Sequence, residues 1–247
     1  MSWKRKHLFF FDFDLTLIKE TSDYVIRGLI KNKEKISSLV NKLNIDLDWV
    51  SHLEEVYKEI HSDGYSERDF RNVMRSVKFV DGMDRFLLKY KSNTDMFIIS
   101  DANLWNIRTI LENQDINYNY WFKDIISNKG FFDICGKFKF EPCFDPSQIK
   151  CFICPGRLCK GIVVKSILKN YETNINNYKT IAYFGDGFGD LCGCLNLPVI
   201  HGIKSVACIR NVGNLKEYSH LITNKCIEVF IWDNGQELID YFEKLDG

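Results

Sequence analysis

The chain has 247 residues, of which 45% are hydrophobic and 27% charged, a balance typical of a folded globular protein rather than a disordered one. Lysine and arginine together number 33, as do aspartate and glutamate, so the formal net charge is zero. This neutrality does not favour nucleic acid or an anionic membrane as the main partner. The length allows one large α/β domain, or a core domain with a smaller insertion.

The first residues do not resemble a targeting segment. The apolar run Leu8–Phe11 is too short for the core of a signal peptide, and no run of about 18 apolar residues predicts a transmembrane helix. Nine cysteines is an odd number in a chain without a secretory signal. We therefore expect a cytoplasmic protein with reduced thiols rather than a disulfide framework.

A short apolar strand opens the predicted fold. The run His7–Phe13 ends in acidic residues, which is typical of a buried parallel strand whose carboxyl end points at a site. Residues 22–77 then carry apolar positions at helical spacing and no strand-like run, which predicts a helical insertion. The predicted division is a core of residues 1–18 and 79–247 with a helical cap of residues 19–78.

Strands and helices alternate after the insertion. The predicted strands are Asp95–Ser100, Asp124–Ser127, Thr180–Phe184, Leu197–Ile200 and Leu221–Thr223, with a small hairpin over residues 130–141. The predicted helices are Ala102–Asn113, Lys160–Tyr171, Val206–Asn214 and Gln236–Leu245. This order favours an α/β fold with a Rossmann-like, doubly wound parallel sheet and a helical cap inserted after the first strand.

Acidic residues follow three of these strands. Asp12 and Asp14 follow the first, Asp101 follows a later one, and Asp186 and Asp190 follow Thr180–Phe184. The carboxyl ends of parallel strands are where ligands bind in such sheets. Carboxylates that converge there repel one another unless a cation lies among them, and Mg²⁺ suits a site with few protein oxygens and a phosphate. The pattern therefore predicts a magnesium site.

The residue types at this edge suit phosphoryl transfer. One carboxylate of the pair Asp12 and Asp14 can attack phosphorus, while the other protonates the leaving oxygen and later deprotonates water. Ser100 offers a hydroxyl, and Lys160 at the start of a helix offers a positive charge, to hold the phosphoryl group. Phosphoryl transfer requires little beyond this positioning and charge neutralisation.

These motifs, in this order, resemble the four motifs of the haloacid-dehalogenase hydrolases. The finer resemblance is to the phosphoethanolamine/phosphocholine and pyridoxal-phosphate phosphatase family. It rests on Phe11-Asp12-Phe13-Asp14-Leu15-Thr16-Leu17 with Ser22-Asp23, Ser100-Asp101-Ala102-Asn103, Cys154-Pro155 with Leu158-Cys159-Lys160-Gly161, and Gly185-Asp186-Gly187 with Asp190 and Cys192. The resemblance covers most of the chain, and the helical insertion is similar to the first type of cap in that superfamily.

The resemblance implies a role for each catalytic residue. Asp12 is implied to be the nucleophile and a metal ligand, and Asp14 the acid/base whose backbone carbonyl also binds the metal. Ser100 and Lys160 are implied to hold the phosphoryl group. Asp186 is implied to bind Mg²⁺.

Further residues take supporting roles by the same resemblance. Asp190 is implied to bind the metal or to orient its waters, and Thr16 to support the loop. Asp23 and Asp101 are implied to recognise the amine end of a substrate. Each of these acids has an alternative explanation, because Asp23, the Ser100–Asp101 pair and Asp190 could instead cap the helices that follow them.

The expected function is Mg²⁺-dependent hydrolysis of a small phosphorylated metabolite through an aspartyl-phosphate. Phosphocholine or phosphoethanolamine is the leading substrate, with pyridoxal phosphate or pyrophosphate as alternatives. A non-catalytic metal-binding module on the same fold is the alternative of another class. Gly189 and Gly193 stand where the family usually has Asn and Pro, and the oligomeric state stays open.

The cysteines support more than one hypothesis. Cys143, Cys151, Cys154 and Cys159 lie close together in the sequence, and Cys151 and Cys154 form a C-x-x-C pair. A structural zinc ion would require four ligands, but only one such pair is present. Reduced structural thiols are therefore favoured, with a zinc site or a redox-sensitive pair as alternatives.

Overall fold

The computed structural model describes residues 7–45, 49–114, 116–145, 151–154 and 158–247. Within them one seven-stranded sheet has the order β4-β3-β2-β1-β5-β6-β7. Its strands are β1 (His7–Phe11), β2 (Thr94–Asn103), β3 (Asp124–Phe132), β4 (Phe138–Glu141), β5 (Thr180–Gly185), β6 (Lys204–Arg210) and β7 (Glu228–Trp232). Neighbouring strands are parallel except for the β3–β4 hairpin. The predicted α/β doubly wound sheet and its hairpin are confirmed.

Helices fill the connections between the strands. They are α1 (Ser22–Arg27), α2 (Lys33–Ile45), α3 (Trp49–Ser62), α4 (Glu67–Met74), α5 (Met83–Tyr90), α6 (Leu104–Asn113), α7 (Tyr118–Trp121), α8 (Lys160–Asn170), α9 (Phe188–Leu195), α10 (Ser219–Thr223) and α11 (Gly235–Asp246). Two short 3-10 turns lie at Glu172–Asn177 and Leu215–Tyr218.

The central strand β1 divides the interior into two apolar clusters. Its side chains alternate, so Phe9 and Phe11 face one cluster and Leu8 and Phe10 face the other. The first cluster includes side chains of α5, α6 and α11 and of the helices α1–α4, whereas the second includes side chains of α8, α9 and α10. A strand buried on both faces is apolar throughout, as the sequence of β1 is.

The helical insertion leaves and rejoins the sheet at one point. Ile18 and Phe79 form an isolated antiparallel bridge, and the hydrogen bonds Lys19 N–H to Lys78 O (2.9 Å) and Val80 N–H to Leu17 O (3.0 Å) flank it. Between these segments the described residues form the helices α1–α4 and no strand of the sheet, as predicted. The division into core and cap stays a prediction.

Three predicted elements near the C-terminus are wrong. Residues 197–200 are irregular, the predicted helix Val206–Asn214 is largely strand β6, and the predicted last strand Leu221–Thr223 belongs to α10. The last strand is instead β7. Residues 205–210 of β6 are buried on both faces, so their apolar positions carry no period of two that would distinguish a strand from a buried helix.

Candidate active site

Three carboxylates meet at the carboxyl edge of β1 and β5. Asp12 directly follows β1, and its N–H donates to Phe184 O (2.8 Å), which fixes the start of the loop against β5. Asp186 directly follows β5, and Asp190 lies in the first turn of α9. Oxygen atoms of Asp12, Asp186 and Asp190 lie within 4.8 Å of one another, and all three residues are buried. Of the five acids predicted to converge, the structure groups these three, and Asp14 and Asp101 are not members of the group.

A buried lysine links two of these acids. Lys160 is the first residue of α8, and its Nζ lies 2.9 Å from Asp12 Oδ1 and 2.6 Å from Asp190 Oδ1. Burial by itself lowers the pKa of Lys160, but the carboxylates of Asp12 and Asp190 raise it well above its ordinary value. Lys160 is thus a fixed positive charge beside the Asp12 carboxylate, where we predicted a phosphoryl-binding cation.

Asp190 accepts several further hydrogen bonds. Tyr183 donates its hydroxyl proton to Asp190 Oδ1 (3.0 Å), and the N–H groups of Asp186 and Gly187 donate to Asp190 Oδ2 (3.0 and 3.1 Å). The predicted helix-capping role of Asp190 is therefore present together with its ion pair. With both oxygens occupied in this way, Asp190 is well placed to orient Lys160 and the loop after β5.

The acidic side chains are hard to ionise together. Burial, and then the Asp190 carboxylate, raise the pKa of Asp12 to about 7. Burial and the neighbouring acids Asp190 and Asp12 raise the pKa of Asp186 to about 8. Three buried carboxylates with a single adjacent lysine leave excess negative charge that a hard cation would neutralise, so this set of oxygen donors fits Mg²⁺.

Asp14 is placed differently from Asp12. Its carboxylate accepts hydrogen bonds from the Ser22 N–H (3.0 Å) and the Ser22 hydroxyl (3.2 Å), at the start of α1. Burial, with a further contribution from the negative charge of Asp23, raises the pKa of Asp14 well above its ordinary value. A carboxyl group whose pKa is raised in this way is suited to donate a proton.

Ser100 and Asp101 lie on β2, beside β1. The Ser100 hydroxyl oxygen is buried and accepts the Ala102 N–H (3.3 Å). Asp101 Oδ1 accepts the Leu158 N–H (3.0 Å), which ties β2 to the segment that precedes α8. Neither residue caps α6, because the N-cap is Asn103, whose side chain accepts the Asn106 N–H.

Asp23, in α1, forms hydrogen bonds both to a helix of the insertion and to α6, which follows β2. Its Oδ1 accepts hydrogen bonds from the Tyr57 hydroxyl of α3 (3.3 Å) and from the Asn106 amide of α6 (3.1 Å). Its Oδ2 is buried and has no hydrogen-bond partner among the described residues. Burial raises the pKa of Asp23 to about 7, with Tyr57 and Arg27 opposing the shift. Asp23 does not cap α1, whose N-cap is Thr21.

Two residues support the site that the sequence did not reveal. Arg210, at the end of β6, donates from Nη1 to the Leu15 carbonyl oxygen (2.6 Å), and Leu15 has a left-handed backbone with φ of 53°. Arg210 thereby holds a strained loop between Asp12 and the inserted helices. Gly213 packs so closely on Asp186 that a Cβ atom would lie 2.3 Å from the Asp186 carbonyl oxygen. Apart from their positions at and just after the end of β6, neither residue is marked by a pattern in the sequence. Thr16, by contrast, was predicted to support this loop, and its hydroxyl lies 3.4 Å from Asp186 Oδ1.

The two glycines that depart from the family pattern differ in their surroundings. A Cβ atom at Gly189 would meet only one atom within 4 Å, Asp101 Oδ2 at 3.9 Å. A Cβ atom at Gly193 would lie 2.5 Å from the ring of Tyr183, the side chain that donates to Asp190. Gly193 thus makes room for a supporting tyrosine, whereas nothing in the structure requires glycine at position 189.

The cysteine cluster is not the one suggested by the sequence. Cys151, Cys154 and Cys159 group with Cys192 of α9, whereas Cys143 packs against the second apolar cluster. Cys192 lies in the fourth motif, far along the chain from the other three, so it was not predicted as part of the cluster. Pro155, which follows Cys154 in the third motif, lies outside the described residues.

Across the described parts of the chain, none of the helices combines the length and apolar character needed to cross a bilayer.

Comparisons with known proteins agree with this geometry. The family model described as Putative Phosphatase matches residues 7–245. Inorganic pyrophosphatase 1 of Arabidopsis thaliana is 32% identical over 75% of this chain, which spans only 62% of that protein. Pyridoxal phosphate phosphatase PHOSPHO2 of Rattus norvegicus is 27% identical over 97% of this chain and 98% of its own length. Phosphoethanolamine/phosphocholine phosphatase of Gallus gallus is 27% identical over 78% of this chain and 70% of its own length.

A solved structure has a similar fold. The phospho-aspartyl intermediate analogue of phosphoserine phosphatase superposes with a TM-score of 0.61, covering 96% of this chain and 99% of that one at 15% identity. At this identity the likeness concerns the fold alone.

Proposed function

The chain belongs to the Putative Phosphatase family and is a phosphatase of the haloacid-dehalogenase type, and from this premise we propose its mechanism and substrate. We propose that it hydrolyses a small-molecule phosphomonoester with Mg²⁺ as cofactor, through an aspartyl-phosphate formed on Asp12. Because the chain is a phosphatase, we do not retain the hypothesis of a non-catalytic metal-binding module.

One observation carries the mechanism. Lys160 Nζ contacts the Asp12 carboxylate directly, and Asp186 and Asp190 lie beside it at the carboxyl edge of the sheet. This arrangement combines a nucleophile, a fixed cation and an acidic metal site in one buried position. Phosphoryl transfer relies on such positioning and charge neutralisation.

The reaction follows from the placement of the two acids after β1. An oxygen of Asp12 attacks phosphorus, and the bond from phosphorus to the leaving oxygen breaks as Asp14 gives that oxygen its proton. Asp14 then takes a proton from water, whose oxygen attacks phosphorus and releases phosphate and free Asp12. Lys160 and the Ser100 hydroxyl hold the phosphoryl oxygens.

The metal would be held by Asp12, Asp186 and the Asp14 carbonyl oxygen, with Asp190 as a further ligand or a partner of its waters. Bound Mg²⁺ neutralises negative charge on the transferred group and on the acids around it. The buried carboxylates, the pKa values of Asp12 and Asp186 and the hard oxygen donors support this assignment.

The substrate is proposed to carry a cationic group. Asp23 offers a buried oxygen without a hydrogen-bond partner among the described residues. Burial, and to a smaller extent the nearby negative charge of Asp101, raise the pKa of Asp23, so two acidic groups lie close together here. A primary or quaternary amine would neutralise that charge. Phosphoethanolamine or phosphocholine is accordingly our leading substrate.

We also propose that residues 19–78 act as a cap that excludes water and large substrates.

Two other substrates have specific support. Pyridoxal phosphate is favoured by the rat relative, which aligns over almost the whole chain, and pyrophosphate by the Arabidopsis relative at 32% identity. Steady-state kcat/KM values across all four compounds would rank them. A rate for pyrophosphate well above those of both amine substrates would contradict the leading choice.

The reaction class is tested by phosphate release with and without Mg²⁺. Asp12→Asn is expected to lose activity by at least about a thousandfold, because an amide is not a nucleophile, while Asp84→Asn on the exposed face of α5 stays near wild type. Acid-stable phosphate bound to the wild type but not to Asp12→Asn would identify the covalent site. Equal release by wild type and Asp12→Asn would refute the aspartyl-phosphate.

The substrate class is tested by Asp23→Asn, which keeps the size of the side chain but removes its charge. We expect kcat/KM for phosphoethanolamine to fall by about 10- to 100-fold, as for a lost charged contact, while the value for pyrophosphate changes little. An equal fall for both substrates would show that Asp23 supports the structure rather than the amine.

A further inference from the structure

Four cysteines form a compact group beside α8 and α9. The Sγ atoms of Cys151, Cys154, Cys159 and Cys192 all lie within 4.8 Å of one another. Cys192 Sγ is 3.6 Å from Cys151 Sγ and 3.6 Å from Cys159 Sγ. Cys154, Cys159 and Cys192 are buried and Cys151 is half-buried, so most of the group lies away from bulk solvent. We propose that these four cysteines bind one structural Zn²⁺ ion.

The spacing of the sulfurs suits zinc rather than disulfides. Zinc lies about 2.3 Å from each thiolate in a tetrahedral site, which separates the sulfurs by about 3.8 Å. Cys192 Sγ lies 3.6 Å from the sulfurs of Cys151 and Cys159, far from the S–S bond length of about 2.05 Å in a disulfide. Four sulfurs at mutual distances of this size surround one point, as a closed zinc site requires.

The ligands come from three separate pieces of chain. Cys151 and Cys154 form the C-x-x-C pair, Cys159 is the N-cap residue of α8, and Cys192 lies within α9. A C-x-x-C pair with two more distant cysteines is a common arrangement in structural zinc sites. Buried thiols that serve only as small apolar side chains have no reason to converge from three segments.

Neighbouring groups are arranged to accommodate charged sulfur. The Asn196 amide nitrogen lies 3.6 Å from Cys192 Sγ and donates towards it, as outer-shell donors do to zinc-bound thiolates. A Cβ atom at Gly161 would lie 2.4 Å from Cys192 Sγ, so glycine allows the first turn of α8 to approach the cluster. Both contacts involve the sulfur of Cys192, the fourth ligand of the proposed zinc site.

The site would act on the catalytic residues through the backbone. Cys159 directly precedes Lys160, and Cys192 lies two residues after Asp190. A zinc ion that joins Cys159 to Cys192 would fix α8 against α9, and with them the 2.6 Å contact between Lys160 and Asp190. The zinc is proposed as a structural ion, so its presence does not depend on the proposed substrate or mechanism.

The first test is the metal content of the purified, untagged protein. Elemental analysis is expected to find about one zinc per chain, in a closed four-ligand site. Cys192→Ser and Cys151→Ser are expected to lose most of this zinc. Cys143→Ser and Cys135→Ser are the matched controls and should retain it, because neither residue belongs to the cluster.

A second test uses the wild type alone, so that it does not depend on the folding of a variant. Replacement of zinc by Co²⁺ is expected to give the visible d–d bands and thiolate charge-transfer absorption of a tetrahedral sulfur site. Removal of the metal with a strong chelator is expected to lower the thermal midpoint and to expose four additional reactive thiols.

Three results would overturn the proposal. One is a zinc-free wild type whose cluster cysteines are freely reactive or joined in disulfides. Another is full zinc content in both Cys192→Ser and Cys151→Ser. The last is a Co²⁺ spectrum typical of oxygen ligands, which would place the metal at the carboxylates of the active site instead.

Discussion

Replacing Lys160 with methionine removes a buried cation that contacts two buried carboxylates, Asp12 at 2.9 Å and Asp190 at 2.6 Å. Methionine keeps most of the side-chain volume, so the change is mainly electrostatic. Removal of one partner from a buried ion pair typically costs about 3–5 kcal/mol, because the remaining charge is left uncompensated. For a domain of this size that corresponds to a fall in Tm of about 6–20 °C.

The loss should depend on pH in a defined direction. Burial raises the pKa of Asp12 to about 7 in the folded chain, well above its value in the unfolded chain. Below this pKa the folded state binds more protons than the unfolded state, so the free energy of unfolding falls as the pH rises towards 7. Lys160 opposes this shift, and in its absence the folded pKa moves higher. The difference between wild type and Lys160→Met is therefore expected to be larger at pH 8 than at pH 6.

Urea unfolding without Mg²⁺ at both pH values measures this difference. Lys58→Met is the matched control, because Lys58 forms an exposed pair with Glu55 at 3.0 Å, and such surface pairs contribute little to stability. A loss of stability in Lys160→Met as small as that in Lys58→Met, or a loss that is greater at pH 6 than at pH 8, would contradict this expectation.

Alanine substitutions at three glycines are expected to have different effects on stability and on metal binding. Gly189→Ala should raise the free energy of unfolding by about 0.5–1 kcal/mol, since a Cβ atom there has open space in a helix. Gly193→Ala should lower it by about 1–3 kcal/mol through the 2.5 Å contact with Tyr183, and equal effects of both changes in urea unfolding would contradict this contrast. Gly213→Ala should displace Asp186, because the Asp186 carbonyl oxygen would lie 2.3 Å from the new Cβ atom. The Mg²⁺ concentration needed for half-maximal phosphate release should then rise, and an unchanged Mg²⁺ requirement would exclude this displacement.

Strand β1 and the acids of the site could be predicted because short stretches of sequence mark them. The apolar run before Asp12 and the acids after β1 and β5 can be recognised without knowing what they contact. Strand β6 could not be recognised, since burial on both faces removes the alternation that marks a strand, and helix α5 was not predicted at all.

The sequence alone could not show which residues of the site, distant from one another in the chain, are in contact. Lys160 and Asp190 were predicted separately, but their direct ion pair depends on how α8 packs against α9. The same packing brings Cys192 to the other cysteines, from which it is separated by more than thirty residues of chain. Arg210 is the last residue of a strand that was itself predicted as a helix, so its contact with the Asp12 loop had no basis in the sequence.

The bridge between Ile18 and Phe79 has a consequence for how this protein can vary. The two ends of the inserted helical segment are hydrogen-bonded neighbours, so a short turn could join them without moving β1 or α5. Insertions whose ends meet in space can be lengthened, shortened or exchanged at little cost to the rest of a domain. If residues 19–78 act as the proposed cap, substitutions there would change which substrates the enzyme accepts, while the residues of hydrolysis at the edge of the sheet stay the same.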